Sequence, residues 1–205
     1  MGFHIEITEV GPNEYPLLQV LREAVFSEFG HTSRTPISDS LAQRQDLFVL
    51  IAHLEGNPVG FSAGYRRKPG VYYINYLALL REYRRQGLGK QMINRLEDYA
   101  RSLGYSQIEF NTFNHFPGML RLGLAMGYRP VGLQQDSMTD HDLAIRFAKS
   151  LKPESVDNPR PQDEIGIDAA DRTALRNALD RGLLIAGLVR DQDARLRVVV
   201  QSPKQ

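Results

Sequence analysis

The segment Arg84-Arg85-Gln86-Gly87-Leu88-Gly89 carries the clearest chemistry in this chain, because it follows the apolar run Tyr72 to Leu80 and opens an amphipathic helical pattern. Two glycines let a backbone approach an anion closely, and the first turn of a helix presents amide hydrogens that have no intrahelical partner. Arg84, Arg85 and Lys90 add full positive charge to the partial charge of the helix N-terminus, so the ligand such a bend suits is polyanionic. Two common phosphate binders do not fit. The segment does not end in Gly-Lys-Ser/Thr as a P-loop does, and no third glycine stands at Met92 to complete a dinucleotide fingerprint.

An arginine, two residues, a glycine, one residue and a second glycine, set between a strand and a helix, resembles the coenzyme A signature of the GNAT superfamily of N-acetyltransferases. The resemblance extends over most of the chain before Pro153. Tyr76-Leu77-Ala78-Leu79-Leu80-Arg81-Glu82-Tyr83-Arg84 is similar to the family's fourth strand and the turn after it, with Arg81 where a proline is common. Glu109 to Phe113 resembles the fifth strand. Asn114 to Leu122, continuing into Gly127-Tyr128-Arg129-Pro130, is similar to a branch whose fourth helix carries a Met-Leu pair and ends in Gly-Phe or Gly-Tyr.

The resemblance implies an α/β fold of the α+β type. It has a mixed, mostly antiparallel twisted sheet whose fourth and fifth strands are parallel and splayed, flanked by about four helices. It also implies acetyl-CoA as co-substrate, with Arg84, Arg85, Gln86, Gly87, Leu88, Gly89 and Lys90 around the diphosphate. The main chain of Leu77, Ala78 and Leu79 would pair with the pantetheine arm. An amide near Leu79 would polarise the thioester oxygen, a role worth about 3 kcal/mol. Asn114 matches a coenzyme-contacting position, or is a turn or helix cap instead.

Acetyl transfer to an amine requires a bound donor, a polarised carbonyl and a neutral nucleophile, and positioning supplies most of the rate. The amine must shed a proton to a carboxylate or to ordered water. Val71 to Leu80 contains no carboxylate; Tyr73, Asn75 and Tyr76 stand there instead. Glu109 is the candidate base, because it matches a strand-five glutamate that serves so in some family members; the competing reading is a solvated glutamate on the strand face. Many members place a tyrosine acid four residues before the glycine that ends the fourth helix, and that position here is Gly123. Water, Tyr73, Tyr76 or His115 would then protonate the thiolate, or no acid is needed. The expected reaction is direct attack in a ternary complex, with a small primary amine or an amino-acid-like compound as acceptor. The alternatives are a protein or peptide amine and a non-catalytic acyl-CoA binding module.

Composition narrows the field. The 205 residues include no cysteine, which excludes disulfides, thiolate metal ligands and a cysteine nucleophile from this sequence. His4, His31, His53, His115 and His141 lack ligand spacing, so no metal site is expected. A net charge of +1 from 25 basic and 24 acidic residues gives no global basis for nucleic-acid binding. No run approaches a membrane span and no leader pattern opens the chain, which sets a cytoplasmic expectation.

The remaining elements follow from periodicity. Phe3, Ile5 and Ile7 alternate as a first strand ended by Gly11-Pro12. Leu17, Leu18, Leu21, Ala24, Val25 and Phe29 recur at helical spacing up to Gly30. A polar connection of residues 31–37 follows, then a short helix over 38–44; in the resembled family this region borders the acceptor. Leu47 to Leu54 and Val59 to Tyr65 read as a hairpin about Glu55-Gly56-Asn57-Pro58, and Lys68-Pro69-Gly70 turns into the strand Val71 to Leu80. Met92, Ile93, Leu96, Tyr99, Ala100 and Leu103 form one helix face stopped by Gly104. The strand after it carries Ile108, Phe110 and Thr112 inward, parallel to the strand before the helix.

Three domains of organisation result: a transferase domain over 1–152, a proline-bearing linker over 153–165, and a C-terminal extension over 166–205. In the extension, Asp168 is expected to cap a helix to Arg181 with Gly182 as its stop, before strands over 183–189 and 196–201. Val198-Val199-Val200 is expected to dock on a sheet edge of a second copy, giving a homodimer, or to pack on its own chain.

Overall fold

Alternation sets the first strand, β1 (Ile5–Glu9), in which Ile5 and Ile7 are half-buried while Glu6 and Glu9 face solvent. The computed structural model describes residues 4–28, 35–113, 116–135, 143–152, 165–168, 171–181, 184–190 and 196–201. They fall in two compact units, Met1–Ile108 and Glu109–Gln205. After β1 come α1 (Tyr15–Ser27), α2 (Ile37–Leu41), β2 (Phe48–Leu54), β3 (Asn57–Lys68), β4 (Val71–Leu79), α3 (Leu88–Ser102) and β5 (Gln107–Phe113). The chain continues through α4 (Pro117–Ala125), β6 (Arg129–Gln135), β7 (Leu143–Ser150), β8 (Ile165–Asp168), α5 (Arg172–Asp180), β9 (Leu184–Arg190) and β10 (Leu196–Gln201). The larger sheet has seven strands in the order β1-β2-β3-β4-β5-β7-β6.

In the first unit β1 to β4 form an antiparallel meander. Glu55 and Gly56 both have positive φ, 50° and 77°, so the hairpin turns on these two residues alone, as a primed two-residue loop does. Asn57 and Pro58 therefore belong to β3 rather than to the turn. Pro58 is tolerated there because it lies beside a register shift, where a missing N–H breaks no ladder. At the other end Gly70, at φ 75°, turns the chain into β4, and its carbonyl accepts from the amides of Ser106 (3.1 Å) and Gln107 (3.2 Å). The starts of β4 and β5 thus lie side by side and the two strands run parallel, as the crossover through α3 requires.

Both faces of the meander are covered. On one face Phe48 stacks on Tyr99 of α3 at 4.1 Å, and Tyr72 meets the rings of Tyr99 and Tyr105 edge-on. On the other face Leu18, Leu21 and Val25 of α1 and Ile37 and Leu41 of α2 pack on Val49, Ile51, Phe61, Ala63 and Ala78. Each such side chain contributes about 1.5–3 kcal/mol when fully buried, so a one-residue slip of β2 would be costly on both faces.

β4 carries a bulge that its sequence pattern does not announce. Ile74 pairs with Gly64 and Tyr76 with Ala63, which leaves Asn75 as the extra residue. Residues four apart share a face in a regular strand, yet Tyr72 faces α3 while Tyr76 packs on Phe26 of α1 and on Phe61.

Several expected boundaries shift. The helix expected over 38–44 ends at Leu41, and Gln43 and Asp46 adopt positive φ just after it. Ala24 is exposed and Arg22 takes its place on the buried face of α1; Phe29 and Gly30 lie outside the described residues. Leu103 is 47% exposed because it is the capping residue of α3, with Gly104 turning away at φ 79°.

In the second unit Phe110 of β5 stacks on Phe147 of β7 at 4.9 Å and meets Tyr128 edge-on, and Gly127 ends the turn after α4 at φ 82°. The tail builds a second sheet in the order β8-β10-β9. Asp168 is not the helix cap but the last residue of an additional strand, β8; Asp171 caps α5, its Oδ1 accepting from the Ala174 amide at 2.9 Å. Val198, Val199 and Val200 are buried in the middle strand of this sheet, paired to β8 on one side and β9 on the other. They therefore have no open edge to offer another sheet, and β9 lies against β6 of the same unit. Residues 153–164 and Gly182 lie outside the described residues.

Candidate functional site

The bend after β4 owes its shape to two backbone inversions. Arg85 and Gly87 have φ of 64° and 84°, and Gly87 is the residue from which α3 starts, its carbonyl accepting the first helical bond from Gln91 at 3.1 Å. Among the described residues, no group accepts from the amides of residues 85–90. A side-chain carbon built on Gly87 would meet only the side-chain Nε2 of Gln91, at 4.0 Å, so the space in front of the bend is open. Arg85, Gln86, Gly87 and Lys90 are exposed, whereas Leu88 and Gly89 are buried and anchor the helix start beneath. Unpaired amides, an aligned helix dipole and flanking cations fit a polyanion with at least two phosphates.

Arg84 is placed differently from its neighbours. Its Nε donates to the Leu79 carbonyl at 2.8 Å, and its two terminal nitrogens donate to the carboxylate of Glu28, just past α1, at 3.1 and 3.2 Å. This fork ties the bend to the end of β4 and to α1. Glu28 has no counterpart in the sequence reading, since it stands 56 residues from Arg84.

β4 enters the bend with a defined set of amides. The Leu80 amide donates to Val59 of β3 at 3.0 Å, so by antiparallel alternation the amides of Leu79 and Leu77 point away from β3. The close approach that fixes this geometry is at Gly60: a side-chain carbon there would lie 2.4 Å from the Ala78 carbonyl oxygen. Ala78 is fully buried, as core packing of its side chain requires, while Leu77 and Leu79 are half-buried.

Tyr76 lies on the face covered by α1 and α2. Its hydroxyl accepts from Arg22 Nη1 at 3.4 Å and donates to Ser40 Oγ at 3.2 Å, and Ser40 Oγ in turn donates to the Ile37 carbonyl at 2.8 Å. Gln19 holds the start of α2 by accepting from the Ile37 amide at 2.9 Å. Tyr73 lies elsewhere, in a ladder in which Arg44 covers the ring of Tyr65, Tyr65 meets Tyr73, and Arg67 covers Tyr73. Tyr72 is buried on the α3 face, where burial pushes its phenol far above the usual range.

In the second unit Glu109 is 4% exposed, and its neighbours Ile108 and Phe110 are fully buried too. The solvated strand-face reading of Glu109 therefore fails, because both faces of β5 are covered at this point. Gly123 is buried, and a side-chain carbon on it would lie 2.7 Å from Phe110 Cζ. No side chain, tyrosine included, fits there without moving the Phe110–Phe147 stack. Asn114, His115 and residues 136–142 of the expected acceptor loop lie outside the described residues.

Sequence reasoning missed Arg22 and Ser40. Position 22 lies four residues from Leu18 and three from Val25, which puts it on the apolar stripe of α1, and an arginine on such a stripe was the available signal. Among the described residues, no three His, Asp or Glu side chains gather where they could hold a metal ion, and no helix is long and apolar enough to cross a membrane.

Residues 15–128 match the family model described as the acetyltransferase (GNAT) family. Among solved structures, the chain is similar to the ribosomal-protein-S18-alanine N-acetyltransferase from Escherichia coli, at 12% identity and TM-score 0.62 over 77% of this chain and 100% of that one. It is similar to the IAA acetyltransferase from Bacillus cereus, at 19% identity and TM-score 0.62 over 72% and 99%. A third is a GNAT family acetyltransferase from Elizabethkingia anophelis with acetyl-CoA bound, at 16% identity and TM-score 0.59 over 71% and 97%. At these identities the likeness is one of fold.

Proposed function

The chain belongs to the GNAT acetyltransferase family, and from that premise we propose that it moves the acetyl group of acetyl-CoA to the primary amine of a small molecule, by direct attack in a ternary complex. The observation that carries this reading is the bend over residues 85–90, whose amides are unpaired and whose front is open at Gly87. Arg85, Gln86, Gly87, Leu88, Gly89 and Lys90 hold the diphosphate, and Arg84 fixes the bend relative to β4. The amides of Leu77 and Leu79, directed away from β3, are the main-chain donors for the pantetheine arm and for the thioester oxygen, with Ala78 setting their spacing.

In the reaction the amine nitrogen forms a bond to the carbonyl carbon, the carbon–sulfur bond breaks, and the sulfur leaves as thiolate. An amide aimed at the developing oxyanion lowers that barrier because it is pre-oriented. Glu109 is the assigned acceptor of the amine's proton. No side-chain acid is assigned to the leaving thiolate, in keeping with Gly123. Tyr76 and Ser40, hydroxyls half-buried under α1 and α2, suit a compact acceptor. The test is thiol release from acetyl-CoA across a library of small amines and peptides. Turnover with small amines supports the reading; tight acetyl-CoA binding with no turnover on any acceptor refutes it.

A further inference from the structure

Arg22 is 3% exposed, yet its charge is not matched. Its Nη1 makes the 3.4 Å bond to the Tyr76 hydroxyl, and its Nη2 is buried with no hydrogen-bond partner. Among the described residues, no carboxylate forms an ion pair with it. The acidic side chains of the elements around it are engaged otherwise or elsewhere: Glu23 of α1 accepts from Gln19, Asp39 of α2 accepts from Ser38, and Glu28 holds Arg84. A buried guanidinium without a counter-ion carries a desolvation penalty that a phenol hydroxyl cannot offset. A buried unsatisfied group in a folded protein calls for an explanation, and an ion that arrives to complete it is one.

The fold holds this cation firmly. Leu18, Leu21 and Val25 fix α1 on the sheet on either side of Arg22, and the chain of bonds from Arg22 through Tyr76 and Ser40 to Ile37 links α1, β4 and α2. Tyr76 is three residues before Leu79 on the same strand, and it faces α1 because of the bulge at Asn75. We infer that Arg22, with Tyr76 and Ser40 beside it, is the subsite for a carboxylate carried by the acceptor, so that the substrates are amino-acid-like amines and not simple alkylamines. A guanidinium offers two parallel donors to a carboxylate, and the unpartnered terminal nitrogen of Arg22 has its donors free, whereas the single hydrogens of Tyr76 and Ser40 are already given to Ser40 and to the Ile37 carbonyl.

This inference rests on the transferase reading above and deepens it. Its test uses the full-length chain and matched amine pairs, each an amino acid and its carboxamide, with thiol release from acetyl-CoA as the readout. For the unaltered protein the carboxylate member is expected to exceed the amide in kcat/KM by about tenfold or more, since a site built around a charged partner rejects the analogue that lacks it. Arg22→Gln is expected to abolish that preference while leaving the amides within about threefold, and Arg22→Lys to restore part of it. Equal rates for both members in the unaltered protein would overturn the inference, and this comparison holds even where Arg22→Gln does not fold. Equal losses on both members in Arg22→Gln, with acetyl-CoA affinity intact, would also overturn it. Absence of acetyl-CoA binding would instead strike the transferase reading underneath.

Discussion

Arg84 Nε donates to the carbonyl of Leu79 at 2.8 Å, so the last residue of β4 and the bend that follows it are held by one side chain. The same guanidinium carries Glu28 at 3.1 Å. In the proposed reading Arg84 is a positioning residue: it relates the bend over residues 85–90 to β4, whose outward amides that reading assigns to the thioester. Arg84→Ala is expected to weaken acetyl-CoA binding by less than about tenfold, because the cradle's amides remain, and to lower kcat more than affinity. Arg84→Lys should behave like the alanine variant, since a lysine cannot serve both acceptors as a fork. Equal loss in affinity and kcat, measured by calorimetry and steady-state kinetics, would show direct phosphate contact instead.

Gly60 is the residue on which β4 rests. Its missing side chain leaves 2.4 Å to the Ala78 carbonyl and 2.5 Å to Leu79 Cδ2, closer than any real contact. Gly60→Ala must push Ala78 and Leu79 aside, with an expected cost of about 1–3 kcal/mol in denaturant unfolding and a fall in kcat. An alanine variant with unchanged stability and turnover would show that β4 tolerates the displacement.

Gly123→Tyr is not expected to install an acid. The side chain would begin 2.7 Å from Phe110 Cζ and 3.4 Å from Phe147 Cδ1, which overpacks the second unit. Even Gly123→Ala is expected to destabilise by about 1–3 kcal/mol. A gain in turnover in the tyrosine variant would mean that α4 can shift to accommodate it.

Glu109→Gln keeps the volume of a fully covered side chain while removing its charge. Loss of about a hundredfold or more in kcat/KM, with acetyl-CoA affinity retained, is expected for a general base. Unchanged turnover and an unchanged pH profile would remove Glu109 from the mechanism.

The α3 face gives a pH dependence of stability. The Tyr105 phenol is pushed up to about 12 by burial and then by its hydrogen bond to Asp46 and that residue's charge. Its ordinary value is 10.0. A raised acid in the folded state means that the fold favours the protonated phenol, so this contribution is complete below pH 10 and is lost as the pH rises toward about 12. Tyr105→Phe should flatten the fall in unfolding midpoint across that window; an unaltered slope would contradict the assignment.

Much of the architecture was legible. The meander, the parallel crossover and the glycine bend follow from alternation, turn residues and spacing, because each is fixed by neighbours close in sequence. The bulge at Asn75 was not legible, since alternation cannot show two residues facing one on a partner strand, and with it went the placing of Tyr72 and Tyr76 on opposite faces. β8 is not legible because Ile165-Gly166-Ile167-Asp168 is short and contains a glycine, which leaves Asp168 looking like the cap that Asp171 supplies. The partnerships of Arg22 and Arg84 depend on residues 54 and 56 positions away, beyond any local pattern.

The most direct test of the account is a calorimetric titration of the full-length chain and of its Gly87→Asp and Gly87→Asn variants with acetyl-CoA. Both variants bear the same strain at φ 84°, but only aspartate places a negative charge in front of the cradle. The account predicts measurable binding to the unaltered chain and an affinity for Gly87→Asp lower than that of Gly87→Asn by about tenfold or more, the scale of one unfavourable charge at a phosphate site. Equal affinity for all three proteins would contradict it.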